Sequence, residues 1–122
     1  MMLSELDRRL EALRPLGIEV LRELERAAGR LGSLGFFAPA WEAGTPTLRR
    51  DPADGSMALV MEWRNAEGYR CGELVVNADG SLYAECDVLR PHPTDSRWFV
   101  EAITAWGRAG AINTEPRLLQ AV

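Results

Sequence analysis

The sequence predicts an α+β domain, with an N-terminal helical arm, a four-stranded antiparallel β-meander and a C-terminal helix packed on one sheet face. Three observations carry this expectation. Leucines recur at heptad spacing through the N-terminal arm. The triplet Ala-Asp/Glu-Gly occurs three times between β-rich runs. A second apolar stripe at helical spacing follows Pro91-His92-Pro93. At 122 residues the chain is one domain, 1–122, divided into an arm (1–35), a meander (45–90) and a terminal helix (94–110).

In the arm, Leu3, Leu10, Gly17, Leu24 and Leu31 recur every seven residues, and Leu6, Leu13, Val20 and Ala27 follow the same period three positions later. This is an a/d stripe, expected to lie on the protein's own sheet, or alternatively to form a seam with a second copy. Pro15 falls outside the stripe, so one kinked helix or two helices in line both fit. Gly29, Gly32 and Gly35 offer stops.

Next comes an apolar loop containing Phe36, Phe37, Pro39 and Trp41. Ala53-Asp54-Gly55, Ala66-Glu67-Gly68 and Ala78-Asp79-Gly80 then mark three turns, preceded by Pro52, Asn65 and Asn77. Two residues tolerant of the right-handed region followed by a glycine at positive φ suit a type I turn closed by a bulge. The runs they separate are 45–50, 56–64, 69–77 and 81–90, and a meander is the simplest way to connect them. Thr94, Asp95 and Ser96 offer N-caps to the last helix, whose face is Phe99, Ile103 and Trp106, with Gly107 and Gly110 as its end.

The turn chemistry also predicts register. Pairing Asn77 with Ser81 sets Glu73 opposite Glu85, Val75 opposite Tyr83 and Cys71 opposite Asp87. The preceding turn sets Trp63 opposite Cys71 and Met61 opposite Glu73. Two faces follow. Leu48, Ala58, Val60, Leu74, Val76, Leu82, Ala84, Cys86 and Val88 make an aliphatic seat for helices. Met57, Leu59, Met61, Trp63, Tyr69, Cys71, Val75 and Tyr83, with Glu73, Glu85 and Asp87, make a second face. Cys71 and Cys86 are thereby separated and expected to be reduced.

Net charge is −4, from 14 arginines, no lysine and 18 acidic residues. The first thirty residues balance at six against six, leaving eight arginines against twelve carboxylates in the remainder. No basic stripe is present, which argues against a nucleic-acid partner. No signal-peptide pattern or membrane-length apolar run appears, two cysteines do not make a disulfide scaffold, and the all-arginine usage suggests a bacterial source. The expected setting is the cytoplasm.

Candidate chemistry is sparse. His92 is the sole histidine and has no cysteine at metal-ligand spacing. Neither cysteine has an adjacent histidine, no serine sits in a nucleophile elbow, and no phosphate-binding glycine motif occurs. No catalytic residue, cofactor or metal ligand is therefore predicted. Glu73 opposite Glu85 with Asp87 nearby is the one carboxylate constellation, since like charges directly opposed in a sheet destabilise it. Together with Trp63, Tyr83, Phe37 and Trp41, these residues form the candidate binding surface.

The arrangement resembles small bacterial secretion chaperones and toxin-immunity proteins in architecture alone. The expected function is a non-enzymatic protein-binding module (adaptor, chaperone-like or immunity-like) whose partner is another protein or a second copy of itself. A small-ligand site or hydrolase built on Glu73, Glu85 and Asp87 is one alternative. An oligomerisation module using the N-terminal heptads is the other.

Overall fold

The computed structural model describes residues 4–30, 39–68, 70–91 and 98–121, and at 30, 88–91, 98–101 and 116–121 the backbone alone. One helix, α1 (Glu5–Arg30), is followed by a 3-10 turn (Trp41–Ala43) and six strands. These are β1 (Thr45–Arg50), β2 (Met57–Arg64), β3 (Arg70–Val76), β4 (Leu82–Pro91), β5 (Trp98–Arg108) and β6 (Ala111–Ala121). Every strand pairs antiparallel with its sequence neighbour, in the order β1-β2-β3-β4-β5-β6.

α1 begins at a capping box in which the Asp7 amide donates to Ser4 Oγ at 3.1 Å while the Ser4 amide donates to Asp7 Oδ2 at 3.3 Å. The helix runs without a break through Pro15, which is exposed, so the carbonyl its ring leaves unpaired faces water. Coverage along the helix is uneven. Val20, Leu21, Leu24, Ala27 and Ala28 are buried, whereas Leu6, Leu10, Leu13 and Leu16 are half-covered. Gly17 has a specific role. The Trp41 ring lies against it so closely that a Cβ there would come within 2.2 Å of Cζ3.

The predicted turns at Gly68 and Gly80 form as expected, whereas the first is one residue longer, its Gly55 amide donating to the Asp51 carbonyl. Gly55, Gly68 and Gly80 adopt φ of +75°, +88° and +89°. The Gly68 and Gly80 amides donate to the Asn65 and Asn77 carbonyls, and the Asn65 and Asp79 side chains accept from the Glu67 and Ser81 amides.

Three expectations are corrected. The C-terminal helix at 94–110 is absent. Residues 98–108 are strand β5, joined to β6 by a tight turn at Ala109-Gly110. β5 lies between two strands with Ala102, Ile103, Thr104 and Ala105 all at most 2% exposed, so its burial lacks the alternation that marks a half-buried strand. His92 and the N-cap residues Thr94, Asp95 and Ser96 lie outside the described residues, as does Phe37.

The second correction is register. At the turn Arg64 pairs with Arg70 as predicted, but Cys71 is an extra residue. Beyond it Trp63 pairs with Gly72, Met61 with Leu74 and Glu62 with Glu73. This β-bulge exchanges the two faces of β2. Leu59, Met61 and Trp63 consequently join Leu74, Val76, Leu82, Ala84, Cys86, Ile103 and Ala105 in one core beneath α1, while Ala58, Val60 and Glu62 turn to the opposite face. Across the third turn the predicted register holds, with Glu73 opposite Glu85 and Val75 opposite Tyr83.

The third correction concerns Cys71, which packs against the edge of the core at the bulge. Cys86 is fully buried, and both thiols are free. The edge strands each contain one proline, Pro46 in β1 and Pro116 in β6.

Candidate functional site

The face of the sheet turned away from α1 carries the candidate site. Pairing places Thr45, Glu62, Glu73, Glu85, Thr104 and Glu115 in one row across all six strands. Neighbouring strands stand about 4.8 Å apart, so three glutamates on adjacent central strands form a ladder of like charge. Sequence reasoning missed Glu62 because the bulge that brings it into the row follows a turn of the same type as the one at Asn77–Gly80, which is followed by no bulge. Glu115 was missed because β6 was not foreseen.

Arginines partly offset the ladder. Arg70 lies 2.9 Å from Glu73 Oε2 and 3.9 Å from Glu85 Oε1, Arg49 is 3.7 Å from Glu73 Oε1, and Arg64 is 3.4 Å from Glu62 Oε2. The Tyr83 hydroxyl donates to Glu85 Oε2 at 2.7 Å. Asp87 extends the group two residues along β4, and its Oδ1 is shielded from solvent without a hydrogen-bond donor. Burial, followed by the hydrogen bond and negative charge of Glu85, pushes the Asp87 carboxyl up to about 7, against a smaller opposing pull from Arg70.

One row over, Val60, Val75, Tyr83, Trp106 and Asn113 follow one another across β2 to β6. Trp106 is 39% exposed, the one large apolar side chain among the described residues that is so open. Together with Tyr83, Thr104 and Glu115 it lines a shallow depression of about 240 Å³.

Among the seven residues proposed from sequence, Glu73, Tyr83, Glu85 and Asp87 come together on this face. Trp63 and Trp41 do not. Both are buried in the α1-facing core, where Trp63 Nε1 donates to the Ala40 carbonyl at 2.9 Å, so neither is open to a ligand. Phe37 lies outside the described residues.

No group of three or more histidine, cysteine or acidic side chains among the described residues has an arrangement suited to a metal ion. Nor is any described helix long and apolar enough to cross a membrane. A second, more apolar groove of about 390 Å³ lies between the N-terminal half of α1 and the β3–β4 and β5–β6 turns, lined by Leu13, Leu16, Val76 and Ala109 with Arg9 at its margin. Comparison with known protein families, curated proteins and solved structures finds no match to the chain.

Proposed function

We propose that the protein is a non-enzymatic binding module that receives an arginine- or lysine-bearing segment of another protein on the face of its sheet turned away from α1. The observation that carries this reading is the glutamate ladder. Directly opposed carboxylates cost stability in a free sheet, and a partner's cations would relieve that cost on docking. Trp106 and Tyr83 stand in the next row, where a flat apolar contact can anchor a segment whose charges meet the ladder. The depression beside them is shallow, which suits a surface contact better than an enclosed small substrate.

A carboxylate hydrolase is the second reading, favoured by one observation, the raised Asp87 carboxyl in the same cluster. Dimerisation through the heptads has less support. Gly17, Val20, Leu24 and Ala27 are taken up by the chain's own core, which leaves Leu6, Leu10 and Leu13 partly open among the described residues of the stripe.

Selection of a random peptide library on the purified protein tests the binding reading. Enriched peptides should carry several basic residues around an apolar one and bind more weakly as salt rises. Glu73→Gln combined with Glu85→Gln, and Trp106→Ala separately, should each weaken binding roughly tenfold, about 1.4 kcal/mol. Enrichment of peptides indifferent to these changes would place recognition elsewhere.

A further inference from the structure

Asp87 is placed where an ionised carboxylate is poorly served. Its Oδ1 is sealed from water and meets no donor. Among the described side chains, the charged and titratable groups around it are mostly acidic. Glu85 is two residues away on its own strand and Glu73 faces Glu85 from β3, while Arg70 is the one described cation acting on it. That arginine is engaged with Glu73 and Glu85, at 2.9 and 3.9 Å. From β5 the residue opposite Asp87 is Ala102, which is fully buried and brings no donor, and Arg117 of β6 pairs with Ala102. Cys71, at the bulge on the other flank, gives its weak donor to the Trp63 carbonyl at 3.5 Å.

A carboxylate with one oxygen sealed from water and lacking a donor is poorly solvated in its charged form, and protonation is the simplest way to remove that cost. The Asp87 and Glu85 side chains also leave β4 on the same face, two residues apart, and Glu85 contributes both a hydrogen bond and negative charge to the rise of the Asp87 carboxyl. Two neighbouring carboxyl groups attract one another only when one of them carries a proton.

We infer that Asp87 and Glu85 hold a single proton between them in the folded protein as pH approaches neutrality from below, Asp87 as donor and Glu85 as acceptor, so that the sheet face turned away from α1 carries a charge switch. Oδ1 is then the carbonyl oxygen of a neutral acid, which tolerates burial far better than half a charge. Tyr83, donating to Glu85 Oε2, supports the carboxylate that accepts the proton. Raising the pH across neutrality removes this proton and adds one negative charge beside the ladder. The inference needs no partner, so it stands or falls separately from the binding reading.

The folded carboxyl is raised from the unfolded value of about 3.9. Between that value and the folded one, the native state therefore holds a proton that the unfolded chain lacks. Stability should fall as pH rises through this window and level off above it.

Residue-resolved carboxyl ¹³C NMR from pH 4 to 9 is the test. The wild type should show one aspartate titrating near pH 7, absent from Asp87→Asn. Glu85→Gln should lower that midpoint by roughly one unit or more, because the amide can donate to ionised Asp87. The urea midpoint of the wild type should fall between pH 5 and 8 more steeply than that of Asp87→Asn, a difference in which any contribution of His92 cancels. An Asp87 carboxyl that ionises below pH 5 in the wild type, for which no variant is required, would overturn the inference, as would a midpoint unmoved by Glu85→Gln.

Discussion

Replacing Gly17 by alanine should destabilise the protein, although the same change in a solvent-facing helix interior favours the helix by about 1 kcal/mol. The new Cβ would lie 2.2 Å from Trp41 Cζ3 and 2.4 Å from Cε3. Carbon atoms rest at about 3.5–4.0 Å, so the ring would have to retreat by more than 1 Å, at about that figure or above. Trp41 is 7% exposed and held among buried neighbours, which makes such a retreat costly. Overpacking of this kind costs about 1–3 kcal/mol, and forfeiting the packing of a whole tryptophan about 3–5. After the helix-propensity gain, a net loss of about 1–3 kcal/mol is expected. Gly29 of the same helix has nothing within 4 Å of its would-be Cβ, so Gly29→Ala should be neutral or stabilising. Urea unfolding followed by tryptophan fluorescence resolves the two signs. On a Trp41→Leu background, Gly17→Ala should lose most of its cost, because the obstructing ring is gone. A Gly17→Ala protein as stable as wild type, or an effect that persists without Trp41, would refute the reasoning.

Other expectations follow from the same geometry. Gly107 has φ +133° and a would-be Cβ 2.2 Å from the Ala111 carbonyl oxygen, whereas Gly110 has φ +78° and open space. Gly107→Ala should therefore cost clearly more than the roughly 1 kcal/mol of Gly110→Ala in denaturant unfolding, and equal costs would count against the β5–β6 hairpin. Burial, with smaller contributions from Cys71, Asp87 and Glu85, pushes the Cys86 thiol up to about 12, so a thiol reagent should label Cys71 in the native state and Cys86 only on unfolding. The Ser81 hydroxyl, with its amide, holds the Asp79 carboxyl below the ordinary range. This support is present above the unfolded aspartate value and is lost as pH falls through the lower folded one; amide exchange at Ser81 should accelerate only in stronger acid than an ordinary aspartate would require.

Much of the meander was legible because its information is local. Each Ala-Asp/Glu-Gly triplet supplies the positive-φ glycine that its turn uses, with a side-chain acceptor in the triplet (Asp54, Asp79) or just before it (Asn65), and β1 occupies the span predicted for it. The helical stripe was legible for the same reason, since periodicity is a property of contiguous residues. What escaped prediction depends on contacts distant in sequence. Nothing around Arg64 or Cys71 announces that one residue will be extruded as a bulge, yet that single residue moves Trp63 into the core and Glu62 out of it. In β5, burial on both faces erased the period-two pattern. Phe99, Ile103 and Trp106, with the helix-favouring Ala102 and Ala105 between them, then fitted a helix as well as a strand. The Glu73–Glu85 part of the candidate site was readable because a regular turn sets its register. The aromatic part was not, and Trp106 replaces Trp63 as the exposed indole on that face.

The two edge prolines bear on how this protein behaves in a crowd. An unclosed antiparallel sheet of six strands offers two rows of backbone donors and acceptors on which further strands could grow, the route to runaway polymers. Pro46 and Pro116 each delete a donor from such a row, and Arg49 and Arg50 add repulsive charge to the first. A strand from another molecule would meet an interrupted template at either side. The sheet is thus free to present a broad, partly apolar surface without recruiting copies of itself through its rims. Conversely, Pro46→Thr would restore the missing donor and should raise the tendency to fibrillise at high concentration, even where the fold itself is no less stable.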